Sequence, residues 1–245
     1  MSESYNRSEA KVFDRFAAIP GLGVGLLEDD GTIVYINDTA ARMYGGGTVE
    51  EHTGRRLGEL YPPEWAAEKV ELLQRVIETD ERLVVRYIWG GKRFEVQYQK
   101  IEGDGDAPTR VLLTVREGIT DDDLIPDDFK VVTTGTANFG PLSVLSPREL
   151  EVLALIGQGK SAKVIGELLE LSPRTVERHR DSIGKKLDKH DRVSLALVAQ
   201  AAGLELRDAH LTPVGPMVIE RPKSRGMPTV DAEVKRPSDP ANARD

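Results

Sequence analysis

The chain contains no cysteine among its 245 residues. This absence excludes disulfides, cysteine-ligated zinc, iron–sulfur clusters and thiol chemistry. The chain also lacks an apolar run long enough to cross a bilayer, and the segment from Met1 to Ser4 does not begin the basic-then-apolar pattern of a secretion signal. We therefore expect a cytoplasmic protein without a membrane partner.

A surplus of basic residues is missing as well, since the formal net charge is -8 at pH 7. Proteins that coat nucleic acid rely on many Lys and Arg contacts and on the counterions that these contacts release. The acidic balance therefore predicts that any binding to DNA is weak on random sequence and depends on specific contacts and on dimerisation. The chain also shows no phosphate-binding glycine loop, nucleophile elbow or pair of catalytic acids, so we expect no enzyme and find no cofactor motif.

What the chain does contain is a series of helix-start signals in residues 146–204. Four residues there are suited to cap helices: Ser146, Ser161, Ser172 and Asp191. Proline follows two of these caps, and Glu149 completes a capping box with the first. Only Glu170 and Leu171 separate the second predicted helix from the third, which is the tight connection of a helix-turn-helix.

The third predicted helix has one apolar side and one charged side. At about 100° per residue, Val176, Ile183 and Leu187 fall together. The opposite side carries Arg174, Arg178, Asp181 and Lys185, with Glu177 at its edge. Arginine binds guanine through two hydrogen bonds and a carboxylate accepts from the cytosine amino group, so this side predicts DNA as a partner.

A family resemblance lies in three short segments of this region. They are Leu-Ser-Pro-Arg-Glu at 145–149, Gly-Lys-Ser at 159–161 and Ser-Pro-Arg-Thr-Val at 172–176. In this order and spacing they resemble the C-terminal DNA-binding domain of LuxR-type response regulators. The resemblance implies that the third helix enters the major groove of double-stranded DNA and that the fourth pairs two protomers. It implies base contacts by Glu177, Arg178 and Asp181, and phosphate contacts by Lys163, Arg174, Thr175, Arg180, Lys185 and Lys186.

Two of these residues depart from the family pattern, because many relatives have Lys or Arg where Glu177 and Asp181 stand. Phosphate repels carboxylates, so an alternative role for both acids is to form ion pairs within the helix, with Arg174, Arg178, Arg180 or Lys185. Both roles remain open. His179 lies toward the apolar side and is expected to be a hydrogen-bonded packing residue rather than a ligand or catalyst.

The N-terminal half alternates short strands and helices. A hairpin is predicted over 25–36 with its turn at Asp30-Gly31, a helix over 66–77, and alternating strands over 83–89, 94–99 and 111–115. A further helix is predicted over 8–18. The order is two strands, helices and three strands.

This order resembles a PAS domain, as do four short motifs: Asp30-Gly31, Asn37 with Ala40-Ala41, Gly54-Arg55 and Pro62-Pro63-Glu64. The resemblance implies an antiparallel sheet with helices on one face, which senses a small molecule or mediates dimerisation. The candidate pocket residues are Tyr35, Tyr44, Trp65, Tyr87 and Trp89. The absence of cysteine excludes a thiol-linked flavin or chromophore, and His52 is expected to be a solvated residue rather than a haem ligand.

We therefore predict an α+β protein: a PAS-like antiparallel sheet with helices on one face, and an all-α, four-helix, LuxR-type helix-turn-helix domain. The predicted parts are an N-terminal helix (1–20), a PAS-like domain (21–118), an acidic linker (119–143), the LuxR-type domain (144–205) and a disordered tail (206–245).

This organisation predicts a homodimeric, sequence-specific transcriptional regulator, with RNA polymerase or a sensor kinase as further candidate partners. Two alternatives remain: a PAS-based adaptor with a degenerate helix-turn-helix, and a sigma-factor-like protein, although no second promoter-melting region is present. A phospho-receiver domain is disfavoured, because the acids Glu28, Asp29 and Asp30 lead directly into another strand and suit a hairpin turn.

Overall fold

The computed structural model describes residues 15–105, 107–119 and 121–217. A sheet with helices packed on it forms the N-terminal domain, and a bundle of four α-helices forms the C-terminal domain. The predicted α+β fold is therefore confirmed. Within the described ranges, no helix is both long and apolar enough to cross a membrane.

The N-terminal sheet has six strands in the order β2-β1-β5-β4-β3-β6. Their bounds are β1 Gly23–Leu27, β2 Ile33–Ile36, β3 Arg82–Trp89, β4 Lys92–Ile101, β5 Arg110–Glu117 and β6 Phe129–Thr133. The first five pair antiparallel, as predicted, whereas β6 pairs in parallel with β3. The sheet is thus mixed, which corrects the expectation of a purely antiparallel one.

Four helices connect β2 to β3: α1 Asp38–Met43, α2 Val49–His52, α3 Leu57–Leu60 and α4 Pro63–Thr79. The side chain of Asn37 accepts a hydrogen bond from the backbone amide of Ala40, 2.9 Å away, and so caps α1. The long helix α4 buries one stripe in the core of this domain: Trp65, Ala66, Lys69, Leu72, Leu73 and Val76. That stripe encloses the interior between the helices and the sheet.

The alternation of side chains along β3 joins the two domains. Residues Leu83, Val85, Tyr87 and Trp89 belong to the core under the helices. Ile88, on the opposite face of the strand, belongs to the core of the C-terminal domain. Because strand side chains alternate between faces, one strand serves both cores.

The C-terminal domain contains α5 Pro147–Gly157, α6 Ala162–Leu169, α7 Pro173–Leu187 and α8 Arg192–Ala201. The four predicted caps are confirmed, each accepting a hydrogen bond from a backbone amide three residues on, and Glu149 completes the capping box of α5. The turn between α6 and α7 closes tightly on Gly166, where a Cβ atom would lie 2.5 Å from the carbonyl oxygen of Leu171. Glycine therefore permits the helix-turn-helix at this point.

The segment predicted as an acidic linker forms part of the sheet. It contains β6, a 3-10 turn at Asp122–Leu124, the strand β7 Thr136–Ala137 and a second 3-10 turn at Gly140–Val144. Its acids have partners on β3, since Arg82 pairs with Asp128 at 2.6 Å and Arg86 with Asp122 at 2.7 Å. The backbone of β6 pairs with the edge of β3, and the local sequence of the segment did not indicate this pairing.

Residues 203–217, the C-terminal strap, return to the N-terminal domain. They contain a 3-10 turn at Leu206–His210 and the strand β8 Thr212–Pro213, which pairs in parallel with β7. This corrects the prediction of a disordered tail for 206–217, and residues 218–245 lie outside the described residues. Of the predicted N-terminal helix, residues 15–17 are helical and 8–14 also lie outside that range.

Candidate functional site

The third helix of the C-terminal domain, α7, presents a charged face away from the core. It starts at Ser172, whose Oγ accepts from the amide of Thr175 at 3.1 Å, and buries Val176 and Ile183. The opposite face is exposed and carries Arg174, Arg178, Asp181 and Lys185. The predicted division of this helix into a core side and a charged side is confirmed.

The two acids of α7 share one cation in this structure. Arg180 Nη1 lies 2.5 Å from Glu177 Oε2, and its Nη2 lies 3.1 Å from Asp181 Oδ1. No ion pair within the described parts of the chain engages Arg174, Arg178 or Lys185. Of the two roles open to the acids, the intrahelical pair is the one present, and three cations are left facing outward.

Lys186 is held by a carboxylate of α5. Its Nζ lies 2.6 Å from Glu149 Oε2, and Ser182 Oγ donates to Glu149 Oε1 at 2.6 Å. Burial disfavours the charged form of Glu149, but the hydrogen bonds from Lys186, Ser182 and Ser146 outweigh burial and lower its pKa to about 2. The sequence identified Glu149 only as a helix cap, because its contacts with α7 depend on tertiary packing.

The remaining candidates for DNA contact lie near the start of the motif. Lys163 is exposed on α6, and Thr175 Oγ1 lies 2.8 Å from Ser172 Oγ. His179 is half-buried. Partial burial is compatible with a packing role, which stays a prediction.

A cavity of about 30 Å³ lies between the helices and the sheet of the N-terminal domain. Its polar or aromatic wall residues are Tyr44, Tyr61, Trp65, Lys69 and Tyr98, and the rest of the wall is apolar. Of the predicted pocket residues, Tyr44 and Trp65 lie on this wall. Tyr87 and Trp89 stand behind it: the Tyr87 hydroxyl bonds to that of Tyr44 at 2.5 Å, and the rings of Trp89 and Trp65 are 4.9 Å apart.

Tyr35 was predicted to line the pocket and does not. The pairing of β1 with β2 shifts register between Leu26 and Leu27. The shift turns both Ile33 and Ile36 toward the cavity, and Tyr35 instead borders an open groove next to Ala17 and Asn37. A β-bulge of this kind reverses the alternation of side chains, and sequence periodicity does not reveal it.

Lys69 is a cavity residue that sequence analysis missed. Its side chain is 2% exposed, and its Nζ lies 3.2 Å from Glu68 Oε2 and 5.0 Å from the ring centroids of both Trp65 and Tyr87. Burial lowers the pKa of Lys69 to about 8, although the Glu68 carboxylate opposes this shift. The sequence did contain one indication that Lys69 is buried. It lies in the apolar stripe of α4, four residues after Trp65 and four before Leu73.

His52 also differs from expectation, because it is fully buried rather than solvated. It ends α2, and its Nδ1 lies 2.8 Å from the carbonyl oxygen of Thr48. Its Nε2 is buried with no hydrogen-bond partner among the described residues. The packing of α2 against β2 places this histidine in the interior, which its polar neighbours in sequence concealed.

Both domains match known families. Residues 143–199 match the model of bacterial regulatory proteins of the luxR family, and residues 21–117 match a PAS fold model. The C-terminal domain is thus a LuxR-type helix-turn-helix domain and the N-terminal domain is a PAS domain. Both resemblances drawn from sequence motifs are confirmed.

The curated relatives match a part of the chain about 60 residues long. The chain is 47% identical over 60 residues to the uncharacterized response regulatory protein YgeK of Escherichia coli, covering 24% of this chain and 41% of YgeK. It is 46% identical over 59 residues to the transcriptional regulatory protein LiaR of Bacillus subtilis, covering 24% and 28%. The chain therefore spans less than half the length of these relatives.

Among solved structures, the chain is similar to a complex of VqmA from Vibrio cholerae with ligand and DNA, at 18% identity and a TM-score of 0.47, covering 85% of this chain and 95% of that one. It is also similar to a domain of an HTR-like protein from Haloarcula marismortui, at 21% identity and a TM-score of 0.36, covering 40% and 97%.

Proposed function

We propose that this protein is a sequence-specific, DNA-binding transcriptional regulator and that its PAS domain senses a signal or mediates dimerisation. The observation that carries the proposal is the outward face of α7 in a LuxR-type domain, where Arg174, Arg178 and Lys185 have no ion-pair partner in the described residues. The curated relatives include transcriptional regulators, which supports the same conclusion.

The proposed base-reading residues are Glu177, Arg178 and Asp181. Arg178 is the main candidate, because a free guanidinium matches guanine O6 and N7 with two hydrogen bonds. The acids act only after Arg180 moves from them to a phosphate, which then frees both carboxylates for cytosine amino groups. The proposed phosphate contacts are Lys163, Arg174, Thr175, Arg180, Lys185 and Lys186.

Two copies of the chain are proposed to act together in the cytoplasm. The fourth helix, α8, exposes Val193 and Leu197, which supports a contact between protomers. A symmetric dimer of helix-turn-helix domains reads two half-sites about 34 Å apart, so the operator is expected to be an inverted repeat with this spacing.

The test is selection of a random duplex library by the purified full chain at physiological salt. Arg178→Ala is compared with Arg82→Ala, which removes an exposed arginine of the PAS domain that pairs with Asp128. We expect the wild type and Arg82→Ala to enrich the same two-half-site motif, and Arg178→Ala to lose its preference at one base of each half-site, a loss of roughly 1–3 kcal/mol per half-site.

The same selection separates the competing roles. If neither the full chain nor residues 140–217 alone, once circular dichroism has shown that this segment is folded, enrich any sequence, the regulator proposal is wrong and the adaptor role is favoured. Enrichment by the isolated segment alone shows that the PAS domain controls access to DNA. Enrichment that Arg178→Ala leaves unchanged contradicts the assignment of this residue.

A further inference from the structure

The cavity of the PAS domain is lined by hydrogen-bond donors. Trp65 Nε1 is buried and has no acceptor in the described part of the chain. Lys69 lies on the same wall, together with Tyr44, Tyr61 and Tyr98, whose hydroxyl groups can both donate and accept hydrogen bonds. No carboxylate belongs to the lining residues, so this wall itself offers no anionic acceptor to Lys69 or to the Trp65 N–H.

Glu68 compensates the charge of Lys69 only in part. Its carboxylate lies 3.2 Å from Lys69 Nζ, at the long end for a charged hydrogen bond. The same carboxylate accepts hydrogen bonds from the Gly135 amide and, at 2.5 Å, from Thr136 Oγ1. Lys69 therefore shares a carboxylate that other donors already hold, and its Nζ otherwise lies 5.0 Å from the ring centroids of Trp65 and Tyr87.

A small anion in the cavity would give Lys69 and the Trp65 N–H a hydrogen-bond acceptor. A buried ammonium is unfavourable unless it is paired and hydrogen-bonded, and a buried N–H without an acceptor is unfavourable as well. The cavity has room for about two water molecules, which restricts an occupant to a few non-hydrogen atoms. Leu73, Leu113 and Val115 on the wall suit a short apolar part.

We propose that this cavity binds a small organic carboxylate of the size of acetate. The Lys69 ammonium and the Trp65 indole N–H donate to its oxygens, and the aliphatic wall contacts its carbon atoms. This inference rests on the proposed sensing role of the PAS domain and names the ligand class that the domain takes.

Intrinsic fluorescence gives a direct readout of this site. The chain has two tryptophans, Trp65 on the cavity wall and Trp89 packed against it. We would titrate the full chain with sodium acetate and with sodium formate, holding ionic strength constant with sodium chloride. A saturable change in emission is expected for the wild type with acetate.

Two substitutions test the residues. Lys69→Met keeps a chain of similar length but removes the charge, and we expect acetate affinity to fall at least about tenfold, or about 1.4 kcal/mol. Lys92→Met is the matched control, since Lys92 is an exposed lysine of the same domain, paired with Glu117, and this variant should bind as the wild type does. Far-ultraviolet circular dichroism checks that both variants fold.

Trp65→Phe provides an independent variant, because it keeps Lys69 and an aromatic ring at position 65 while removing the N–H donor. We expect weaker acetate binding, reported by Trp89. The proposal is overturned if neither carboxylate gives a saturable response, if neutral acetamide binds as well as acetate, or if Lys69→Met binds acetate like the wild type.

This readout requires no DNA, so the two proposals fail separately. If the protein selects a DNA sequence but its fluorescence does not respond to a carboxylate, only the proposed ligand site is contradicted. A carboxylate response without any sequence selection leaves the ligand site standing and contradicts the regulator.

Discussion

Arg93 of the PAS sheet forms a buried ion pair with Asp208 of the C-terminal strap. The two side chains are 2% and 0% exposed. Arg93 also donates to the carbonyl oxygen of Gly203, with Nε at 3.1 Å and Nη2 at 2.9 Å. The pair connects β4 to the segment that follows α8, so the PAS domain holds the end of the DNA-binding domain through charge-assisted hydrogen bonds.

Removing the carboxylate of this pair should destabilise the protein. Asp208→Ala leaves the Arg93 guanidinium buried without its partner, and we expect a loss of about 3–5 kcal/mol in the free energy of unfolding. The control Asp128→Ala removes the exposed partner of Arg82 and should cost at most about 1 kcal/mol. Urea unfolding followed by circular dichroism measures both, and equal losses would show that Arg93 finds another partner.

Glu149 is expected to restrain DNA binding by holding Lys186. Glu149→Gln keeps an acceptor for the capping box but removes the charge that attracts the Lys186 ammonium. Lys186 is then free to contact a phosphate, which should strengthen DNA binding and steepen its dependence on log salt concentration by roughly 0.9. Binding titrations at several salt concentrations measure the slope, and an unchanged slope argues against Lys186 as a phosphate contact.

The same carboxylate predicts a pH dependence of stability. The pKa of Glu149 is about 2 in the folded protein, below its ordinary value of 4.5. Folding therefore favours the ionised form, and its stabilising effect is complete above about pH 4.5 and is lost as the pH falls from there toward 2. The difference in unfolding free energy between the wild type and Glu149→Gln should shrink across this range, and a constant difference would contradict the assignment.

Gly166 is expected to be essential for the helix-turn-helix. In Gly166→Ala, the new Cβ would stand 2.5 Å from the Leu171 carbonyl oxygen, a backbone atom that cannot rotate away. We expect a loss of stability of about 1–3 kcal/mol. Gly58→Ala is the control: Gly58 also lies in a helix, and a Cβ there meets no atom within 4 Å. Thermal unfolding compares the two, and similar melting temperatures would show that the turn relaxes freely.

Local sequence was most informative where local interactions decide the structure. Cap residues such as Ser146 and Ser172 satisfy amides within their own first turn, so the start of each C-terminal helix was predictable. The two faces of α7 follow from helical periodicity alone. The strands of the PAS sheet were readable from their alternation, but the bulge that displaces Tyr35 was not.

The partners of the interior polar residues depend on contacts distant in sequence. Glu149 meets Lys186, 37 residues away, and Arg93 meets Asp208, 115 residues away. Lys69 reads as a charged residue in an otherwise apolar stripe, and only the packing of α4 on the sheet encloses it. No local pattern encodes such pairs.

By itself, the sequence determined the two domain types, the helix caps and the charged face of α7, because these depend on neighbouring residues and on side-chain periodicity. Tertiary structure alone decided that β6 and the C-terminal strap join the PAS domain, that Glu149 holds Lys186, and that Lys69 and Trp65 face one cavity. These features arise when distant segments exclude water together, since burial then selects which charges and donors must find partners.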